Sequence, residues 1–288
     1  MLNLGFIGDI NLLKPYVKLV RKNPKIHIVG KSSFGTKLTE DDFRFSIPEF
    51  NRIELIERSD ILVINHFSIL PFNLTCKSVK KGKHIFAAGY PGYNKSELKE
   101  LAELVKEAGI IFQLSNPLFN HPVIWWIKNN IKPPAYWDIT YYKKEILSKD
   151  DLLTGLLILL QELINAPLRK INALSFKNPP VLPEFINLRL EYGNAVVVNL
   201  NTGSHSSKEY IIKACSAGCS ALMDFGNKIY TCNESKIDPS EKKFIDEFDH
   251  FIENIRSKKQ PVIEIDDYLK VLQNITSIKL KLSQFSDS

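Results

Sequence analysis

The sequence predicts an α/β chain in two parts: an N-terminal Rossmann-like parallel sheet, then a C-terminal α+β domain with an open, mainly antiparallel sheet. Three observations carry this prediction. Up to about residue 120, apolar runs of strand length alternate with amphipathic runs of helix length, the pattern of parallel strands joined by crossover helices. From residue 135 onward the chain turns to consecutive aromatic, alternating runs, the pattern of a sheet covered on one face. A chain of 288 residues is long for one core and comfortable for two, so the domains are placed at 1–120 and 121–288, the last helices being free to pack back on the first domain.

Leu2 to Ile7 reads as the first strand, with a turn from Gly8, a helix to about Lys22 and a second strand from Ile26 to Val29. A Rossmann domain begins this way, and its glycine fingerprint allows a tight turn and close approach of a pyrophosphate. Gly8 holds the first fingerprint position, but Ile10 and Leu13 hold the other two. Ile10 puts a side chain where phosphates must come close. Asp9 adds a carboxylate that competes for the helix amides and repels an anion. After the second strand, where an acidic residue would hold ribose hydroxyls, stands Gly30-Lys31-Ser32-Ser33. Lys31 and Ser33 suit the 2'-phosphate of NADP, or else form an exposed loop.

The most legible stretch is 60–91, DILVINHFSILPFNLTCKSVKKGKHIFAAGYP, which reads as strand, helix, strand and a sharp exit turn. Ile61 to Ile64 is a β-branched apolar run suited to a strand covered on both faces, and Pro71 needs no amide donor at the helix start that follows. A right-handed crossover brings the carboxyl ends of both strands, near Asn65-His66 and Ala87-Tyr90, to one sheet edge, where open α/β sheets bind ligands. Before this stretch a short helix is expected around Phe50 to Ile56. After it, Ser96 is expected to cap a helix that Gly109 ends, and Ile110 to Leu114 forms the next strand.

The same stretch resembles the glucose-fructose oxidoreductase/inositol dehydrogenase (Gfo/Idh/MocA) family, whose members show a strand ending in Thr-Pro, a crossover helix, Gly-Lys-His and then Glu-Lys-Pro. Gly82-Lys83-His84 stands intact here. His66-Phe67 replaces Thr-Pro, and Ala88-Gly89-Tyr90-Pro91 replaces Glu-Lys-Pro without its lysine. The resemblance continues in order along the chain, through ELKELAELVKEAGIIFQLS and SNPLFNHPVIWWIKNNIKPP to the closing helices. It implies an NAD(P)-dependent oxidoreductase scaffold acting on a sugar or polyol, with a sheet that packs helices on one face and often pairs with another subunit through the other. The family's helix histidine and aspartate fall near Gly155 and Ile158 in DLLTGLLILLQELINAP, and neither residue moves a proton. Thr154, Gln161 and Glu162 are the polar groups of that helix, Glu162 being read as a surface residue.

Strands are expected at Tyr136–Tyr142, Ile171–Phe176, Phe185–Tyr192, Ala195–Leu200, Tyr210–Cys215 and Ala221–Phe225, with Gly193-Asn194 as a hairpin signal. Phe244, Phe248, Phe251, Ile252 and Ile255 form one helical stripe, and Asp266-Asp267 cap a last helix. His121 either faces a substrate cleft or is a capped or merely exposed histidine. Of Trp125 and Trp126, one is expected at an interface.

Net charge is +6, but the lysines are dispersed and no aromatic-interleaved basic block occurs, so no nucleic-acid partner is expected. The longest apolar run, Leu152 to Ile164, is too short and too polar to span a bilayer, and the N-terminus carries no secretory signal, so a cytoplasmic protein is expected. The four cysteines lack a CxxC pair and read as free thiols, and no metal site is expected.

These readings combine into one expected function: a non-catalytic binding or subunit-interaction protein on a dehydrogenase scaffold, without cofactor. It forms a homodimer or larger homo-oligomer through the C-terminal sheet, with Tyr136 to Tyr142 taken as an unguarded edge strand. Its cleft keeps the positions of the family's cofactor site, Gly8, Asp9, Ile10, Lys31, Ser33, Asn65, His66 and Gly89, and has room for a small-molecule ligand. The alternative is an NAD- or NADP-dependent oxidoreductase with relocated groups, Tyr90 or His66 serving as acid/base and Lys31 as phosphate contact.

Overall fold

The structure is a computed structural model that describes residues 1–33, 47–116, 118–119, 121–143, 149–176, 185–204, 208–238, 246–261 and 263–284. Phe244 and residues 34–46 lie outside them. The chain divides into two compact units, Met1–Asn116 with Ile245–Leu269, and Pro117–Phe244 with Lys270–Ser288.

In the first unit, strands β1 (Leu2–Gly8), β2 (Ile26–Ser33), β3 (Ile61–Ile64), β4 (His84–Ala87) and β5 (Phe112–Leu114) form a parallel sheet of order β2-β1-β3-β4-β5. All four residues of β3 are buried, as their uninterrupted apolar run requires. Helix α1 (Ile10–Arg21) follows β1 and α2 (Arg52–Arg58) precedes β3. Between the last strands run α3 (Phe72–Lys80) and α4 (Lys95–Ala108). Helix α7 (Glu247–Ser257) returns from the far end of the sequence, and its Phe248, Phe251 and Ile252 join Leu4, Phe6, Val63 and Phe86 in one core. Tyr16, Phe86 and Phe248 meet edge to face there, with centroids 5.2 to 5.9 Å apart.

Two local expectations are corrected. Asn94, not Ser96, caps α4: its Oδ1 accepts from the amides of Ser96 and Glu97, and Glu97 Oε2 accepts from Asn94 N–H, a reciprocal capping box. Gly30 to Ser33 is strand rather than loop, because Pro48–Phe50 pairs alongside it through Lys31 N–H to Pro48 O and Phe50 N–H to Lys31 O. The helix expected at Phe50–Ile56 is α2, begun two residues later with Asn51 as its cap.

The second unit holds an eight-stranded sheet of order β13-β12-β11-β10-β6-β9-β8-β7. Its strands are β6 (Ala135–Lys143), β7 (Leu168–Phe176), β8 (Phe185–Tyr192), β9 (Val196–Ser204), β10 (Glu209–Ser216), β11 (Cys219–Asp224), β12 (Ile229–Cys232) and β13 (Ser235–Lys236). All neighbours run antiparallel except β6 and β9, which are parallel. Alternation along β6 buries Ala135, Trp137, Ile139 and Tyr141 and leaves Tyr136 exposed on the other face. β6 is interior, hydrogen-bonded on both sides, so the expected unguarded edge at Tyr136–Tyr142 does not exist. At the β8–β9 hairpin the left-handed residue is Ala195 (φ 61), one position beyond the Gly-Asn pair that signals the turn.

Helices α5 (Pro122–Asn130) and α6 (Lys149–Ile164) belong to this unit, and α8 (Ile265–Gln284) crosses the division between the units at Leu269. Among the described residues, no helix is long and apolar enough to cross a membrane.

Candidate functional site

The strand order reverses direction between β1 and β3, and the crevice outside their carboxyl ends is the place where such sheets bind ligands. Asn65 organises it. Its Oδ1 accepts from Asp9 N–H at 2.9 Å and its Nδ2 donates to Asp9 O at 2.9 Å, so one side chain closes the turn between β1 and α1. Two glycines exist to let Asn65 in. A Cβ on Gly8, whose φ is +127°, would stand 1.8 Å from Asn65 Oδ1, and one on Gly89 would stand 2.6 Å from Asn65 O. Gly8, Asp9, Asn65 and Gly89 are thus brought together around one amide. Ile10 opens α1, and its side chain lies outside the described residues.

Ser33 pairs in register with Gly8, so the tip of β2 adjoins this turn. There Glu49, from the segment beside β2, accepts from Ser33 N–H at 2.6 Å and Ser33 Oγ at 2.9 Å, and lies 3.8 Å from Lys31 Nζ. Lys31 itself is buried. The donors that suit a ribose phosphate therefore face a carboxylate of this chain.

His66 and Tyr90 occupy the same sheet edge but make separate contacts. His66 Nδ1 is 2.6 Å from Ser68 Oγ, across one turn of 3-10 helix. Tyr90 donates to Ser115 O at 3.3 Å and packs on the Tyr268 ring at 5.5 Å.

Beyond Tyr90 the tip of β5 holds a group that sequence reasoning missed. Glu247, in the first turn of α7, is 7 % exposed. Its Oε1 accepts from Ser115 Oγ at 2.5 Å and Tyr16 OH at 3.5 Å, and its Oε2 accepts from Asn116 N–H at 2.9 Å. Burial pushes its carboxyl up to about 7 against the opposing pull of Ser115 and Asn116, so near neutrality both protonation states are populated. Tyr16 is pushed up too, by burial first and the Glu247 charge second. An acid beside a cap residue reads in sequence as solvated, and only its position next to a stripe facing inward hinted otherwise.

In the second unit, His121 caps α5, its Nδ1 accepting from Val123 N–H, and packs its ring 4.8 Å from Phe225. Burial holds its imidazole below the usual range. On α6, Thr154 and Ile158 are buried and Gly155 is half-buried. Glu162 pairs with Lys128 at 3.7 Å. Trp125 is exposed and lies against Phe119, and Trp126 is half-buried. Among the described residues, no cluster of three metal-ligating side chains occurs.

No family model matches the sequence, and no curated protein matches it. Solved structures do. The chain is similar to UDP-N-acetylglucosamine 3-dehydrogenase GnnA from Acidithiobacillus ferrooxidans, with TM-score 0.81, 14% identity and coverage of 99% of this chain and 98% of that one. It is similar to the dehydrogenase MviM from Clostridium difficile, with TM-score 0.75, 19% identity and coverage of 98% and 99%. It is also similar to myo-inositol 2-dehydrogenase from Lactobacillus plantarum, with TM-score 0.77, 15% identity and coverage of 98% and 97%. Over its whole length the chain has the fold of the Gfo/Idh/MocA dehydrogenases.

Proposed function

We propose that this chain is a non-catalytic member of the dehydrogenase-like fold, acting in binding or subunit interaction with the sheet edge around Asn65 as its remaining cleft. The observation that carries the reading is the engagement of the anion-binding donors within the chain. Asp9 N–H is taken by Asn65, and Ser33 N–H, Ser33 Oγ and Lys31 face Glu49. A pyrophosphate or ribose phosphate has to displace these bonds and approach the Glu49 and Asp9 carboxylates, which costs more than binding to unspent amides. By the resemblance, the family's histidine, aspartate and lysine fall near Gly155, Ile158 and the Gly89-Tyr90 pair, so no cofactor and no metal enter the proposal. The partner is a second copy of the chain, through the face of the eight-stranded sheet that carries Tyr136, or a small molecule at the cleft, in the cytoplasm and away from nucleic acid and membranes.

Titration calorimetry with NAD and with NADP tests this, together with light scattering for the dimer. Binding of either dinucleotide at micromolar concentration, or reduction of nicotinamide by an aldose, polyol or inositol, overturns it. A strictly monomeric chain at micromolar concentration removes the self-association.

Glu247 favours a second reading, an NAD(P)-dependent oxidoreductase of a sugar or polyol with relocated groups. A buried carboxyl held near 7, bonded to the Oγ of the same Ser115 whose backbone oxygen accepts from the candidate Tyr90, is the kind of group that sites for proton transfer maintain. On this reading His66 is the other acid/base candidate. Glu49 then plays the part of the missing ribose-binding acid and selects NAD over NADP, since its charge opposes a 2'-phosphate at Lys31 and Ser33.

A further inference from the structure

We propose that Cys219 and Cys232 are a reversible dithiol/disulfide pair, oxidised by hydroperoxides such as hydrogen peroxide. Strands β11 and β12 pair antiparallel with Ala221 opposite Cys232, and Cys219 lies two residues from Ala221, hence on the same face of the sheet as Cys232. The two Sγ atoms are 2.7 Å apart, close to the S–S bond length of about 2.05 Å.

Their backbones are held in place by Asn233, the neighbour of Cys232. Its Oδ1 accepts from Ser220 N–H at 2.8 Å, its Nδ2 donates to Gly218 O at 2.9 Å, and its own N–H donates to Ser220 O at 2.8 Å. Both flanks of Cys219 are thereby fixed to the turn that carries Cys232, so closing the bond requires little ordering. Asn233 does this from a left-handed φ of 47°, a conformation asparagine tolerates better than most residues. Both sulfurs belong to partly exposed residues, which a small oxidant reaches.

The other two thiols are placed differently. Cys215 pairs in register with Ser220, on the opposite face from Cys219, and Cys76 is buried in the first unit. Burial and the hydrogen bond to Cys232 hold the Cys219 thiol up at about 11.

The chemistry balances without a metal or a nicotinamide. One sulfur of the pair, as its thiolate, attacks one peroxide oxygen, the O–O bond breaks, and the departing hydroxide takes a proton to leave as water. The other thiol then attacks the sulfenic sulfur, the S–O bond breaks, and the hydroxyl leaves with the thiol proton as a second water. Two electrons pass from the two sulfurs to the peroxide. Exchange with a small dithiol restores both thiols. The bond closes the hairpin that carries Phe225 and Tyr230, whose rings pack on His121 at the start of α5.

The full chain, exposed to hydrogen peroxide and then alkylated, is digested and read by mass spectrometry. The expected result is one cross-link between the peptides of Cys219 and Cys232, lighter by two hydrogens, with two of the four thiols protected from alkylation and both recovered with dithiothreitol. Cys215→Ser leaves the cross-link unchanged, whereas Cys219→Ser or Cys232→Ser abolishes it. Separate sulfinic acids on unlinked cysteines, a bond involving Cys215, or a cross-link only between molecules overturns the proposal. Because the cross-link is read in the unsubstituted chain, a serine variant that fails to fold leaves the test intact.

Discussion

The tips of β1 and β5 lie on the same edge of one sheet and solve the same problem with different chemistry. At β1, a turn that would leave backbone groups unpaired is closed by a neutral amide, Asn65, through bonds to Asp9 N–H and O. At β5, Asn116 N–H and the hydroxyls of Ser115 and Tyr16 are gathered by a carboxylate, Glu247. The amide cannot titrate, so the first closure is the same at every pH and is limited by shape. The carboxylate can, so the second responds to protons. A buried polar end can be satisfied either way, and the choice decides whether that part of the molecule senses its surroundings.

The strongest test of the contrast is Gly8→Ala. The added Cβ would meet Asn65 Oδ1 at 1.8 Å on a backbone of φ +127°, so we expect a loss of about 3 kcal/mol or more in chemical denaturation. The Asn65→Ala background separates the causes: there the collision is gone, and Gly8→Ala should cost only its backbone share, about 1 to 2 kcal/mol. Equal costs in both backgrounds would mean that Asn65 does not shape the turn.

Glu247 supplies the next largest effect, and it depends on pH. Its carboxyl titrates at about 7 in the folded protein against 4.5 for the free group, so the folded state binds more protons between those values. Its contribution to stability is therefore fully present below 4.5 and is lost as pH rises through 7, by at most about 3 kcal/mol. Unfolding midpoints measured from pH 4.5 to 8.5 should fall across that range in the natural chain. Glu247→Gln should flatten the profile. A slope of the opposite sign, or an unchanged slope in the variant, would remove Glu247 as the titrating group.

At the tip of β2 the change should be smallest. Glu49→Ala removes the carboxylate that Lys31 and Ser33 face and should cost about 1 kcal/mol of stability, because the carboxylate is half exposed. The same change should strengthen NADP binding more than NAD binding, read by calorimetry, since it removes the charge that opposes a 2'-phosphate. A variant that binds neither dinucleotide any better than the natural chain would show that Glu49 is not what closes this site.

Periodicity makes most elements legible. The apolar run Ile61–Ile64 is a strand buried on both faces, Phe185–Tyr192 is a strand with the expected bounds, and Gly109 ends α4 in the left-handed conformation. β12 and β13 escape sequence reasoning because four residues of mixed polarity and a pair of polar ones show neither an unbroken apolar run nor a readable period. The cap of α4 escapes it because Asn94 and Ser96 are both residues of cap type two positions apart, and Asn94 is the one that receives Glu97 in return.

Which segments are strands and helices, and where the dehydrogenase-like order runs, can be read along the chain alone, because those signals arise between residues one to four positions apart. Which groups satisfy the polar ends of that sheet is settled only in three dimensions. Asn65 meets Asp9 across 56 positions, Glu247 meets Ser115 across 132, and Glu49 reaches Ser33 from a separate segment. None of these partners leaves a local pattern, since each is chosen by which strands lie side by side. Gly8 shows the division in one residue: the sequence marks it as a turn, and the fold reveals that its missing side chain makes room for Asn65.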